Sequence, residues 1–178
     1  MYLKTTRWSI IVLLIVFSAT SGSAGENNWN TAGIRAGFTD RSSGKYFSKY
    51  EAFVTFSLPW KWRNQQGWIL GTFIEINAGL VISEGNAFLG SVGPGIYLMT
   101  PVKGVSIVAG VFPTYIGQSK FGTEDFGETF QFISEIGVNL DFCRNWTVGY
   151  RFQHMSNAGI ASENPGLNMH MVELGYHF

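Results

Sequence analysis

The alternation of residues 146–178 constrains the fold more than any other feature of the chain. Even positions run Trp146, Val148, Tyr150, Phe152 and, after a polar loop, Val172, Leu174, Tyr176, Phe178; odd positions run Thr147, Gly149, Arg151, Gln153 and then Glu173, Gly175, His177. A period of two is the signature of a β-strand, whose successive side chains leave on opposite faces. Two such runs joined by one loop predict a hairpin. By the same parity His154, Ser156 and Asn168 fall on the apolar face. A base, a hydroxyl and an amide on the greasy side of a sheet demand an explanation.

The pattern recurs upstream. Segments 29–38, 46–58, 68–80, 87–100, 105–115 and 128–141 also alternate, which makes eight with the final pair. In 128–141, Phe130, Phe132, Ile136, Val138 and Leu140 oppose Gln131, Glu135, Asn139 and Asp141. Pro59 is expected to end the second strand, leaving 60–67, with Trp60, Lys61, Trp62 and Arg63, as a turn at a water interface, where amphipathic rings collect. Pro94 suggests a bulge in the fourth. Polar loops are expected at 40–45 and 117–127.

Residues 1–24 read as a secretory signal peptide: Lys4 and Arg7 charge the start, 10–17 is an unbroken apolar run, and Gly22 and Ala24 suit cleavage after Ala24. The apolar run falls well short of the ~20 residues that span a bilayer as a helix. Residues 25–178 suffice for one domain. Charged residues are 13% of the chain, about half the usual ~25%, while aromatics reach 16%. Formal net charge is zero, which gives no ground for a nucleic-acid partner. Cys143 is the only cysteine and forms no internal disulfide.

An exported, charge-poor, aromatic-rich chain without a membrane helix can still enter a membrane as a closed barrel, because all of its backbone hydrogen bonds then run between strands. The rival architecture is a soluble barrel or sandwich with its apolar face inward. Two features favour the membrane. Charges of both signs, Arg35, Glu75, Glu135, Asp141, Arg151 and Glu173, share the polar face and can pair in a narrow lumen. The alternating ending on Phe178 is similar to the C-terminal signal by which outer-membrane barrels are recognised for insertion. The expected fold is all-β, an eight-stranded antiparallel transmembrane β-barrel formed by residues 25–178.

An even strand number with short periplasmic turns puts both termini on the periplasmic side and the loop 157–165 outside. The strand from Asn168 to Phe178 then climbs about 25 Å at ~3.3 Å per residue and ~40° tilt, which brings Asn168 to the outer-leaflet interface. In a symmetric hairpin 154 faces 168, with Cβ atoms ~4.5 to 5.5 Å apart. His154 and Ser156 lie ~6.5 Å apart along the strand, a gap an imidazole closes if the strand bends at its end. The reading is a serine nucleophile, Ser156, with His154 as base and Asn168 holding the imidazole in its tautomer. Asn157 is expected to offer an amide N–H to the oxyanion, helped by the backbone N–H of Ala158 or Gly159. His170, on the same face, reads as an interfacial residue rather than a head-group contact, and Arg151 with Glu135 as a lumen ion pair. No metal-ligand spacing, phosphate loop or nucleotide motif occurs, so no metal and no cofactor is expected.

The run His154-Met155-Ser156-Asn157-Ala158-Gly159, followed by Asn164-Pro165-Gly166-Leu167-Asn168 and a final strand, resembles the lipid A 3-O-deacylase (PagL) family of outer-membrane barrel esterases. The motif occupies residues 154–168, with compatible size, leader and barrel pattern elsewhere. The resemblance implies hydrolysis of the ester-linked acyl chain at the 3-position of lipid A, on lipopolysaccharide in the outer leaflet of a Gram-negative outer membrane. It puts the family's histidine and serine on His154 and Ser156 and its oxyanion asparagine on Asn157. One position departs: the family's acid is a glutamate, and Asn168 stands in its place. An asparagine can orient a histidine, as in Cys-His-Asn enzymes, but cannot neutralise the imidazolium. Glu163, in the loop, is the candidate substitute acid; Glu173 points inward by parity. The alternatives are a non-catalytic small outer-membrane barrel and a phospholipid-directed esterase, and a homodimer is left open as the assembly.

Overall fold

The computed structural model describes residues 29–39 and 45–178. The segment read as a signal peptide and most of the loop expected at 40–45 lie outside the described residues. Eight long strands form the wall: β1 (Thr31–Thr39), β2 (Ser48–Arg63), β3 (Ile69–Ile82), β4 (Asn86–Met99), β5 (Val105–Ile116), β8 (Phe130–Asp141), β9 (Trp146–Ser156) and β10 (Leu167–His177). Between β5 and β8 the loop carries a small hairpin, β6 (Lys120–Phe121) with β7 (Glu124–Asp125). The long strands pair antiparallel with their sequence neighbours, and β1 closes on β10 with Arg35 opposite Glu173. Closure leaves the barrel wall without an edge, so no row of its backbone donors meets lipid.

Two prolines behave differently from expectation. β2 does not stop at Pro59; it runs on to Arg63, with a register shift between Ser57 and Lys61. A proline inside a bulge gives up an N–H that no ladder bond was using, so the strand continues. Trp60 and Trp62 are therefore strand residues with exposed rings rather than turn residues. Pro94 in turn causes no bulge. β4 keeps one register with β3 through the Ile74 and Pro94 pair, and resumes with β5 at Gly95 opposite Gly110 on the diagonal it left at Ser91 opposite Thr114.

Parity assigns the two faces as a membrane barrel needs. Ile34, Phe38, Ile76, Phe88, Val138 and Val172 stand outside, each with about half or more of its surface exposed. The lumen is polar at mid-height. Arg35 donates through Nε to Glu173 at 2.6 Å and makes a two-pronged contact with Glu75, at 2.7 and 2.8 Å. Its guanidinium carbon lies 3.9 Å above the Phe53 ring. Lys49 pairs with Glu51 at 2.7 Å, and Arg151 donates to Glu173 at 2.8 Å and to Asn139 at 2.6 Å. Gln153 bridges Glu51 and Glu135. Charges in so dry a space persist because each is paired and hydrogen-bonded.

Apolar side chains fill the lumen at both ends. Towards the termini Trp29 stacks on Tyr97, with centroids 4.5 Å apart, and the Phe73 ring lies across Gly95 on the facing strand, where any side chain would overlap it. At the opposite mouth Phe47, Phe121 and Phe126 meet edge to face at 5.4 to 6.0 Å. Leu89, Ile116 and Leu167 are buried in the same apolar core. The β6–β7 hairpin thus supplies part of the plug, and the barrel interior is a packed core rather than a channel.

Candidate active site

The hairpin of β9 and β10 pairs in the symmetric register, with Asn168 opposite His154 and Leu167 opposite Met155. His154, Ser156 and Asn168 all stand on the outer wall, half-buried or exposed, while Met155, Asn157 and Leu167 between them are buried. The apolar alternation of the two strands is what places these three polar groups on the lipid side.

His154 Nδ1 lies 2.7 Å from Asn168 Oδ1. A carboxamide oxygen only accepts, so this contact requires the proton on Nδ1 and leaves Nε2 with its lone pair. Among the described residues Nε2 of His154 and Oγ of Ser156 have no protein hydrogen-bond partner. A base with a fixed tautomer and a hydroxyl two residues on along the same face are thus left facing outward. Gly166, with φ +68°, lets the returning loop pass beside the ring; a Cβ there would stand 3.0 Å from His154 Cε1.

The oxyanion role expected of Asn157 meets a different geometry. Asn157 is fully buried and points to the lumen side, as its odd parity dictates. Its side-chain N–H groups donate to the carbonyls of Phe126 at 3.0 Å and Glu163 at 2.7 Å, and its Oδ1 accepts from the Gly159 N–H at 2.9 Å. Its backbone N–H donates to Asn164 Oδ1 at 3.1 Å. The amide is thus committed to holding the loop. It ties the loop after β9 to the one before β8, and these run so close that a Cβ on Gly127 would overlap Ala161 and the Glu163 carbonyl. Gly159 N–H, the other expected helper, is taken as well. The backbone N–H of Ala158 is the one named donor without a bond among the described residues. Ala158 is also the single non-glycine residue there with positive φ, +55°. Such backbone costs of order 1–3 kcal/mol and persists where surrounding bonds impose it, as those of Asn157 do.

The structure places no contact between Glu163 and His154. The Glu163 carbonyl serves Asn157, its carboxylate is exposed and acts electrostatically on Lys120, and the histidine nitrogen an acid would serve is already occupied by Asn168. Lys120 and Asp125 pair at 2.9 Å across the β6–β7 hairpin. The hydrogen bond from Lys120, with another from the Gly127 N–H, holds the Asp125 carboxyl below its ordinary range, and the bond to Asp125 raises the Lys120 ammonium above its own. Among the described residues no three of His, Cys, Asp and Glu converge closely enough to share a metal ion.

A lipid-facing eight-stranded barrel that gathers a histidine, an amide and an open serine at one rim belongs to the class of small membrane-barrel proteins. Residues 48–177 match the family described as lipid A 3-O-deacylase (PagL), and the chain belongs to that family, which is named for an ester-hydrolysing enzyme. A lipid A deacylase PagL from Bordetella bronchiseptica is 35% identical over 72 residues. That match spans 40% of this chain and 40% of the relative's length. A solved structure described as the outer membrane enzyme PagL superposes with a TM-score of 0.72 at 19% identity, covering 83% of this chain and 99% of the other. At that identity the superposition speaks to the fold.

Proposed function

We propose that this protein is an outer-membrane serine esterase that removes the 3-O-linked acyl chain of lipid A from lipopolysaccharide in the outer leaflet. The observation that carries the reading is the 2.7 Å contact of His154 Nδ1 with Asn168 Oδ1, which keeps Nε2 unprotonated on the face that also presents Ser156. Membership of a family named for that reaction supplies the substrate.

In this mechanism a lipid reaches the site laterally, without leaving the membrane. Ser156 Oγ attacks the ester carbonyl as His154 Nε2 takes its proton, forming a tetrahedral intermediate whose negative oxygen accepts from the Ala158 N–H. The intermediate collapses, the sugar oxygen leaves with the proton from His154, and the acyl chain remains on Ser156. Water, deprotonated by His154, then releases the fatty acid and restores the serine. General acid–base help of this kind contributes about 10²- to 10⁴-fold. Asn168 holds the ring throughout but leaves the imidazolium without a counter-charge.

A serine-directed fluorophosphonate tests the nucleophile directly. One adduct at Ser156 on the folded barrel, lost in His154→Asn, is the expected result. A folded protein that takes no label, or takes it at another serine, would refute the assignment.

A further inference from the structure

One rung below the proposed catalytic pair the outer wall carries a second polar pair that the mechanism does not use. His170 follows Asn168 on the same face of β10, and Tyr150 lies on β9 opposite Val172. The Tyr150 hydroxyl is 2.6 Å from His170 Nδ1 and the two rings stack at 29°. Phe152 meets the imidazole edge-on at 5.5 Å and Phe38 flanks it at 6.4 Å. These neighbours fix the ring. With the phenol donating to Nδ1, the proton of His170 is on Nε2, and among the described residues no protein group accepts it.

That N–H faces lipid. Two residues of a tilted strand put it about 5 Å deeper than Asn168, beneath the head groups, where an unpaired donor is costly. A bound lipid offers acceptors at this depth: ester and amide carbonyls at the roots of its acyl chains, and chain hydroxyls. A second observation points the same way. An open groove of about 640 Å³ on the outer wall is lined by Val172, Ala36, Tyr50 and Ala52. Val172 is the register partner of both Tyr150 and Ala36, so the groove opens one rung below His170. Its small floor residues leave room for a hydrocarbon chain.

We propose that His170, oriented by Tyr150, is a specificity-determining contact whose Nε2–H binds an oxygen at the root of an acyl chain of the lipid held at Ser156, with the rest of that chain in the groove over Ala36 and Ala52. The inference rests on the deacylase reading for its ligand, and names how that site selects a multiply acylated lipid.

The test is binding rather than turnover. Ser156→Ala protein in detergent micelles is titrated with lipid A and, in parallel, with a diacyl phospholipid, and compared with the same protein carrying His170→Phe or Tyr150→Phe. His170→Phe keeps the aromatic contacts and removes the donor, and lipid A binding is expected to weaken about five- to tenfold, as for one lost hydrogen bond. Tyr150→Phe weakens it less, by freeing the ring. A loss confined to lipid A upholds the inference and identifies an oxygen that phospholipids lack; an equal loss for phospholipid overturns it, because a contact that both lipids make equally does not select between them. Unchanged lipid A affinity in folded His170→Phe protein overturns the inference. If the Ser156-containing chain leaves lipid A intact while the affinity difference persists, the deacylase reading fails and the contact stands.

Discussion

His154 is held by a neutral oxygen: its Nδ1 lies 2.7 Å from Oδ1 of Asn168, where the family's acid would stand. In the proposed mechanism this arrangement orients the base without stabilising the charge it acquires. Replacing Asn168 by glutamate adds that charge at the same register position. Charge-assisted hydrogen bonds are roughly twice as strong as neutral ones, so kcat is expected to rise on the order of tenfold. Asn168→Leu removes the orientation and lowers kcat with little change in KM. Steady-state kinetics on purified lipid A check both, and a faster Asn168→Leu enzyme would contradict the role given to the amide.

The side-chain amide of Asn157 is bonded within the loops, to Phe126, Glu163 and Gly159. Asn157→Ala deletes three side-chain hydrogen bonds, including the one to the buried Phe126 carbonyl, at about 1–3 kcal/mol for a buried group left unpaired. The expected result is a folded barrel whose loop 157–166 becomes sensitive to protease and whose kcat falls by about 10²-fold or more. A variant with full activity and a resistant loop would show that the loop does not need this anchor.

Gly166 carries two demands at once, a left-handed backbone and room for the His154 ring. Gly166→Val strains the first and violates the second. The barrel should fold and insert while turnover is largely lost, measured by heat-modifiable gel mobility beside fatty-acid release. Retained turnover would mean that His154 does not need its present position.

Arg35 is the hub of the lumen, touching Glu75 and Glu173 and resting on Phe53. Arg35→Leu leaves buried carboxylates unpaired, a loss of about 3–5 kcal/mol. Urea unfolding from lipid bilayers should report it, with the site residues unaltered.

Acid should loosen the hairpin at the barrel mouth. The Asp125 carboxyl is held below its ordinary range by its bonds with Lys120 and the Gly127 N–H, so its contribution is present above the unfolded-state pKa and is lost as pH falls through the lower folded one. Lys120 is exposed and Asp125 half-buried, and the effect is confined to the hairpin. Hydrogen exchange at residues 119–127 should quicken below about pH 4, and Asp125→Asn should remove that pH dependence.

Much of this was readable in the chain. Alternation between Arg151, Gln153 and Glu173 on one side and Tyr150, Phe152 and Val172 on the other fixes two faces, and symmetry about Ala161 brings 154 opposite 168, as the register has it. What could not be read came from contacts remote in sequence or from the rule applied unevenly. The continuation of β2 past Pro59 depends on β3 accepting a bulge, which no local pattern announces. Asn157 stands at an odd position, and the parity that put Ser156 outside already put its neighbour inside; its partner Phe126 belongs to a loop that only the closed barrel brings near. His170 was legible as an outward residue, whereas its bond to Tyr150 needed the pairing of β9 with β10 in space.

The most direct test of the central claim is mass spectrometry of lipid A from Gram-negative cells producing the intact chain beside cells producing Ser156→Ala, with folded barrel verified in both outer membranes. The account predicts loss of one 3-O-linked hydroxyacyl chain only with the intact chain. Identical spectra, or the same loss with Ser156→Ala, would contradict it.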